Sequence, residues 1–349
     1  MTGRRQLASV IRSLRDRVAE EVTDQFLERH SDWQTRYGDR ARQLGVEDAG
    51  FHQDFLAAAI ESGEVGAFDE YSEWAARMLL ARRIEPAFVV ENFQQIGRAL
   101  GGRLSAADAA IVDSFIRSGA EHCLHTKVDA APQPSGPLAQ LAGLYTHAAI
   151  GGSRQAALNL VLEGVRQGHS VIDLYAEVLQ SAMYRIGRLW EENQITVAQE
   201  HMATAITQFV IAQLYPLIEL PYKSRGKIVI TGVPGEFHQV GANMVADVLE
   251  SSGFEVRFLG TNTPMNGVLD AIQEHQAGIL GISATMLFNV PQVIRLAELV
   301  RAKARSGLRI IVGGAVFRSA PKLQEEIGAD GCALDLRSAI QLVNELSHA

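Results

Sequence analysis

The sequence predicts a chain in three parts: an all-helical N-terminal domain (1–127), a four-helix bundle (138–222) and a doubly wound parallel α/β domain (223–349). Three observations carry this. Helical apolar periodicity runs through the first third. The stretch from Asp129 to Pro137 then breaks it, because three prolines in six residues cannot continue a helix, so 128–137 reads as a linker. From Gly226 onward short apolar runs alternate with helical stretches, the pattern of a parallel sheet covered on both faces.

In the first part, residues 64–83 place Phe68, Tyr71, Trp74, Ala75, Met78 and Leu79 at spacings of three and four, one face of a helix. Pro86 suits a first helical turn, and Gly101-Gly102 ends the helix it opens. Ser105 with Asp108 resembles a capping box with Asp in place of Glu. In the second part, four helical patterns are broken near Gly151-Gly152, Gly168 and Glu192-Asn193. The third carries a continuous stripe from Val171 through Tyr175, Val178, Ala182 and Ile186 to Trp190. The fourth starts with Thr196 as cap and Gln199 three residues on. In the third part, apolar runs at 227–231, 254–259, 277–283, 308–313 and 331–334 make five strand–helix units. They fit a flavodoxin-like domain with strand order 2-1-3-4-5, which sets the first, third and fourth strands side by side.

Composition narrows the function. The 349 residues are 47% hydrophobic, enough for a core in each part. A formal charge of -8 argues against a broad nucleic-acid surface. Cys123 and Cys332 are far apart and lack CxxC spacing, which points to a reducing compartment without disulfides. The basic start at Met1 to Gln6 is not followed by a signal-peptide core, and no apolar run is long enough to span a bilayer. A cytoplasmic protein is expected. No catalytic triad, P-loop or metal-cluster spacing is present, so an enzyme is not.

The most informative residues end three of the predicted strands. Glu236-Phe237-His238-Gln239-Val240-Gly241 follows the first, Ser283-Ala284-Thr285 closes the third, and Gly313-Gly314 closes the fourth. Open α/β sheets bind ligands at this carboxyl edge. An ordinary βα loop would explain the glycines. It does not explain a histidine two residues from a carboxylate, which can accept one ring N–H and leave the other nitrogen to a metal.

This set resembles the cobalamin-binding motif, Asp/Glu-x-His-x-x-Gly, then Ser-x-Leu/Thr/Val, then Gly-Gly. The 41 residues between Gly241 and Ser283 and the 27 between Thr285 and Gly313 also fit that family. The resemblance implies that His238 is the lower axial ligand of cobalt, oriented by Glu236. It further implies that Gly241, Ser283, Thr285, Gly313 and Gly314 line a slot for the cofactor's nucleotide tail. Upstream, Trp190 and Glu200-His201 form a Trp-x9-Glu-His pattern similar to the upper-face signature of B12-dependent photoreceptors. There the tryptophan covers the 5′-deoxyadenosyl group and the glutamate binds its sugar, which implies adenosylcobalamin. Two departures stand out. Residues 1–126 match no MerR-type helix-turn-helix, so no DNA binding is expected. Glu191 replaces the histidine that captures cobalt after photolysis, leaving His201, His147 or His169 as substitutes.

A helical N-terminal segment on this pair resembles the photocobilins, which hold biliverdin as well as cobalamin. Candidates for that chromophore are Phe88, Phe93 and Phe115 as walls, Arg82, Arg83, Arg98 and Arg103 for propionates, and His122 and His125 as ring partners. Cys123 between those histidines is expected to be a buried, inert thiol. The leading expectation is therefore a light sensor binding adenosylcobalamin and biliverdin. Co–C photolysis would change a homo-oligomeric assembly and signal to a partner protein. The alternative is a corrinoid methyl-carrier protein of a methyltransferase system, which shares the bundle-plus-sheet architecture. A cobalamin-dependent isomerase subunit would need a substrate barrel for which the chain has no room.

Overall fold

Helices occupy the first part throughout the computed structural model, which describes residues 2–126, 136–304, 306–320 and 322–348. The expected linker at 128–137 lies largely outside the described residues. The chain divides into two compact units, Met1–Val128 and Asp129–Ala349.

The first unit consists of α1 (Thr2–Arg29), α2 (Asp32–Tyr37), α3 (Ala41–Ser62), α4 (Val65–Leu80), α5 (Pro86–Gly101) and α6 (Ala106–His125). α1 packs along α3, while α4 and α5 pack on α6. Ile11, Leu56, Ile60, Phe68, Phe93, Ile96 and Leu100 fill the core. Gly119 lets α6 approach α4, because a Cβ there would meet the Ser72 hydroxyl at 2.5 Å and the Phe68 ring at 2.7 Å. Helix α4 stops at Leu80, three residues earlier than the periodicity predicts. Arg83 takes a left-handed conformation (φ 62°) and Ile84 N–H bonds back to Leu79 O, a Schellman-type stop. Pro86 opens α5 as expected, and Ser105 Oγ accepts the Asp108 N–H at the start of α6.

The second unit begins with the bundle: α7 (Ala139–Ile150), α8 (Arg154–Arg166), α9 (Val171–Asp173), a π-helical turn (Leu174–Leu179), α10 (Gln180–Glu191) and α11 (Val197–Leu214). The expected third helix is thus one stripe interrupted by a π segment. The Thr196–Gln199 capping box forms in both directions. The sheet domain follows as β1 (Lys227–Gly232), α12 (Val240–Ser251), β2 (Glu255–Phe258), α13 (Met265–His275), β3 (Ile279–Ser283), α14 (Val290–Lys303), β4 (Arg309–Gly313), α15 (Ala315–Ser319), α16 (Leu323–Ile327), β5 (Gly331–Ala333) and α17 (Leu336–His348).

All strand pairs are parallel, in the order β2-β1-β3-β4-β5. The flavodoxin-like topology expected from the sequence is observed. Register places Gly232 opposite Ser283, and Ser283 opposite Gly313, so the ends of β1, β3 and β4 form one row. Bundle and sheet domain share a core. Met244 and Val248 of α12 and Leu336 of α17 pack in the cluster built from Tyr145, Leu174, Tyr175, Ile186, Ile206 and Val210. Tyr175 O–H crosses the seam to Asp247 Oδ2 at 2.9 Å.

Candidate cofactor site

The loop between β1 and α12 turns at Val233, where Glu236 N–H bonds Val233 O, and buries Glu236 completely. A buried carboxylate needs partners for both oxygens. Oε1 accepts His238 backbone N–H at 2.9 Å and His238 Nδ1–H at 2.6 Å. Oε2 accepts Thr285 N–H at 2.6 Å and Asn289 Nδ2 at 3.1 Å. The ends of β1 and β3 are therefore tied through one side chain. Burial alone would raise the Glu236 carboxyl, but the hydrogen bond and charge of His238, with the Thr285 and His238 N–H groups, carry it below its ordinary value. Burial likewise opposes the His238 cation, yet Glu236 and, from the bundle, Glu200 raise the imidazole above 6.5.

With Nδ1 occupied by a carboxylate, the ring's Nε2 is the nitrogen left available to a ligand, and the side chain is 56% exposed. Gly241 lies in the first turn of α12, where an added Cβ would meet nothing within 4 Å. Its smallness answers to open space, not to packing. Gly314 is the opposite case: at φ 113°, an added Cβ would lie 2.1 Å from Ala284 O. Ser283 and Thr285 are partly exposed on the same edge.

The bundle supplies the facing side. Glu200, in the first turn of α11, accepts Thr204 Oγ1 at 3.0 Å and holds His201 Nδ1 at 2.5 Å. Trp190 is partly buried near the end of α10. Glu191 is held by Arg188 at 2.9 Å. Of the three substitute histidines, His201 adjoins Glu200, His147 is exposed on α7, and His169 lies in the turn after α8. The sequence residues that converge are thus Glu236, His238 and Thr285, with Gly241, Ser283, Gly313 and Gly314 on the same edge and Glu200 acting from above.

Sequence reasoning missed Asn289, which is 2% exposed and donates to both Glu236 and Gly235 O. Its signal was legible: Asn289-Val290-Pro291 is a helix start, with Pro in the first turn. Asn262 was missed as well; its Oδ1 accepts Gly235 N–H at 2.9 Å.

Among the described residues no group of three or more His, Cys, Asp and Glu side chains could hold a metal ion. A lone exposed imidazole suits a metal whose remaining positions are filled by its own chelate. No helix among the described residues is long and apolar enough to cross a membrane.

The residues expected to hold biliverdin do not gather, which corrects the sequence reading. Phe93 and Phe115 are core residues, Phe93 lying against His52 and Phe68. Phe88 packs among Phe26, His30 and Trp33. Arg82 donates to Met78 O, and His122 and His125 turn Nδ1 back to the carbonyls of their own helix. Arg98 and Arg103 border a different, polar cleft. Composition supplied the right residue types, but helical phase sends the aromatic rings inward and away from the cations. Cys123 is buried, donates to Ser72 O and is pushed up to about 12 by burial and the charge of Glu73, so its thiol is inert as expected.

Residues 226–343 match a family described as the B12 binding domain, and residues 142–215 match a second family of the same description. A corrinoid protein of Desulfitobacterium hafniense is 27% identical over 204 residues, covering 57% of this chain and 94% of that protein. Dimethylamine corrinoid protein 3 of Methanosarcina acetivorans is 29% identical over 191 residues, covering 53% and 89% respectively. The monomethylamine corrinoid protein of Methanosarcina barkeri has the same fold, with a TM-score of 0.55 and 23% identity over 60% of this chain and 99% of that one. The bundle and the sheet domain are therefore a cobalamin-binding pair, and residues 2–126 lie outside both family matches.

Proposed function

We propose that this chain is a corrinoid carrier, holding cobalamin between the bundle and the sheet edge and presenting it to a methyltransferase partner. The observation that carries this is the Glu236–His238 couple at the end of β1. The buried carboxylate keeps the ring proton at Nδ1 and leaves Nε2 as the nitrogen that would hold cobalt. When bound there, the corrinoid supplies a cobalt that takes up and releases an alkyl group. Gly241 would leave room for the nucleotide tail, and Ser283, Thr285, Gly313 and Gly314 would form the edge of its slot. Trp190, Glu200 and His201 cover the upper face and exclude water from it. The corrinoid-protein relatives support the carrier reading over the light sensor first expected.

The test compares the full chain with His238→Ala, each titrated with methylcobalamin. The His-on spectrum should vanish in the variant and affinity should fall about 10–100-fold or more, as when support for a metal ligand is removed. Methyl transfer from the loaded protein to a thiol or pterin acceptor, in the presence of a methyltransferase, is the second readout. Unchanged spectrum and affinity in the variant would remove the ligand assignment.

One observation favours a second reading, the adenosylcobalamin light sensor with a light-dependent oligomer and a downstream signalling partner. Glu200 acts on His238 from the position the photoreceptor signature gives it, with Trp190 on the preceding helix. Competition between methyl- and adenosylcobalamin, with photolysis followed at each, separates the two. Preference for the adenosyl form, lost in Trp190→Ala, together with a dark–light change in mass, would replace the carrier by the sensor.

A further inference from the structure

The helical unit has a cleft of its own. It opens between α1 and α5, has a volume of about 390 Å³, and is bordered by Glu21, Arg29, Gln95, Arg98 and Arg103. Three of these are guanidinium groups, and two are fixed in place. Arg29 is held by Glu91 Oε1 at 2.8 Å and by Gln25 O at 3.0 Å. Arg103 is held by Glu21 Oε2 at 2.5 Å and by Ala99 O at 2.6 Å. Arg98 is exposed, and its guanidinium makes no hydrogen bond or ion pair among the described residues.

The floor has the complementary need. Gln95 is 3% exposed, and its Nε2 donates to Glu91 Oε1 at 3.0 Å, which fixes the amide's orientation. That leaves Oε1 buried with no donor among the described residues. An unmet buried acceptor is costly, and native structures rarely keep one without a use. Glu21 adds a carboxylate on the same wall. The cleft thus offers cationic forks beside two acceptors, within a volume near the lower end of small-molecule pockets.

We propose that this cleft binds a small organic acid that carries its own hydrogen-bond donor, an amino or hydroxy acid. Its carboxylate pairs with Arg98, alongside Arg103, in the fork geometry that guanidinium shares with carboxylates. Its N–H or O–H satisfies Gln95 Oε1 and the Glu21 carboxylate. Arg29 and Arg103 are already anchored, so little ordering opposes binding. A flat apolar chromophore finds no apolar wall here, since Ala99 is the one apolar residue on the lining.

The experiment uses the full chain in phosphate-free buffer, with calorimetric titration of the standard amino acids and short hydroxy acids. Acetate and sulfate, which carry no N–H or O–H at neutral pH, serve as donor-free comparisons. At least one donor-bearing acid should bind saturably below about 1 mM and about tenfold tighter than acetate or sulfate. Arg98→Ala, at an exposed position, should weaken that binding about tenfold or more without shifting the melting temperature. Gln95→Met should erase the margin over acetate; if that buried change lowers the melting temperature, the Arg98 variant decides. Absence of saturable binding across the panel, equal affinity for acetate or sulfate, or an unaffected Arg98→Ala would each overturn the proposal.

Discussion

Glu236→Gln changes one atom and should abolish the ligand geometry. The native carboxylate accepts four bonds, two on each oxygen: His238 N–H and Nδ1–H on one, Thr285 N–H and Asn289 Nδ2 on the other. An amide keeps one oxygen and turns an NH2 toward the other pair. If the oxygen stays with Thr285 and Asn289, the NH2 faces His238. The ring must then accept at Nδ1 and carry its proton on Nε2, which cannot ligate a metal. If the oxygen stays with His238, the buried Thr285 N–H loses its acceptor, at about 1–3 kcal/mol. For a unit of this size that lowers the melting temperature by roughly 2–10 °C. The second arrangement strands two donors, Thr285 N–H and Asn289 Nδ2, against one, His238 N–H, in the first, so the first prevails, the imidazole loses its support and cobalamin affinity should fall about 10–100-fold. Spectral titration with hydroxocobalamin measures the affinity and the His-on band together, and a thermal melt without cofactor measures the fold. A variant that keeps the His-on band with affinity within about twofold would refute the argument.

Two glycines should separate binding from folding. Gly241→Ala meets open space and should leave the free protein equal or about 0.5–1 kcal/mol more stable while weakening cobalamin binding, whereas Gly314→Ala should cost about 2–5 kcal/mol outright; denaturant titration and cofactor titration read both. Burial and the charge of Glu250 raise Asp247 from 3.8 to about 6 despite its bond from Tyr175. The folded chain therefore binds that proton more tightly than the unfolded one, so stability falls as pH rises through this window and stays lower above it. The gap corresponds to about 3 kcal/mol, and Asp247→Asn should recover much of it at pH 7.5 in urea unfolding while flattening the slope below pH 6. His52 is the reverse case: burial lowers it from 6.5 to about 3, so its contribution is complete above pH 6.5 and is lost as pH falls, by up to about 5 kcal/mol near pH 3. His52→Gln, which can still face the Tyr71 hydroxyl 2.6 Å from the native ring, should remove that part of the acid sensitivity in a pH series of unfolding curves.

The sheet was legible because its signals are local. Apolar runs, breakers and the residues ending each run fix strand positions, and parallel αβ alternation leaves few orders for five strands. His238, Ser283 and Gly313 came together for the same reason. Asn289 escaped because its role depends on which way the start of α14 turns toward β1, a tertiary fact that Asn-x-Pro only hints at. The π turn at 174–179 escaped because one stripe of apolar residues reads alike with or without a widened turn. The biliverdin candidates are scattered by helical phase: Phe93 and Arg98 share α5 but face different environments.

The apolar cluster that joins Tyr175, Leu174 and Val210 to Met244, Val248 and Leu336 makes the bundle and the sheet domain one cooperative block. Heat or denaturant should melt them in a single step, since neither half can come apart without wetting the other's side chains. For the same reason, swinging the bundle away as a rigid lid would bare Ile186 of α10 and Ile206 and Val210 of α11 along with Met244 and Val248 of α12, at the cost of their burial.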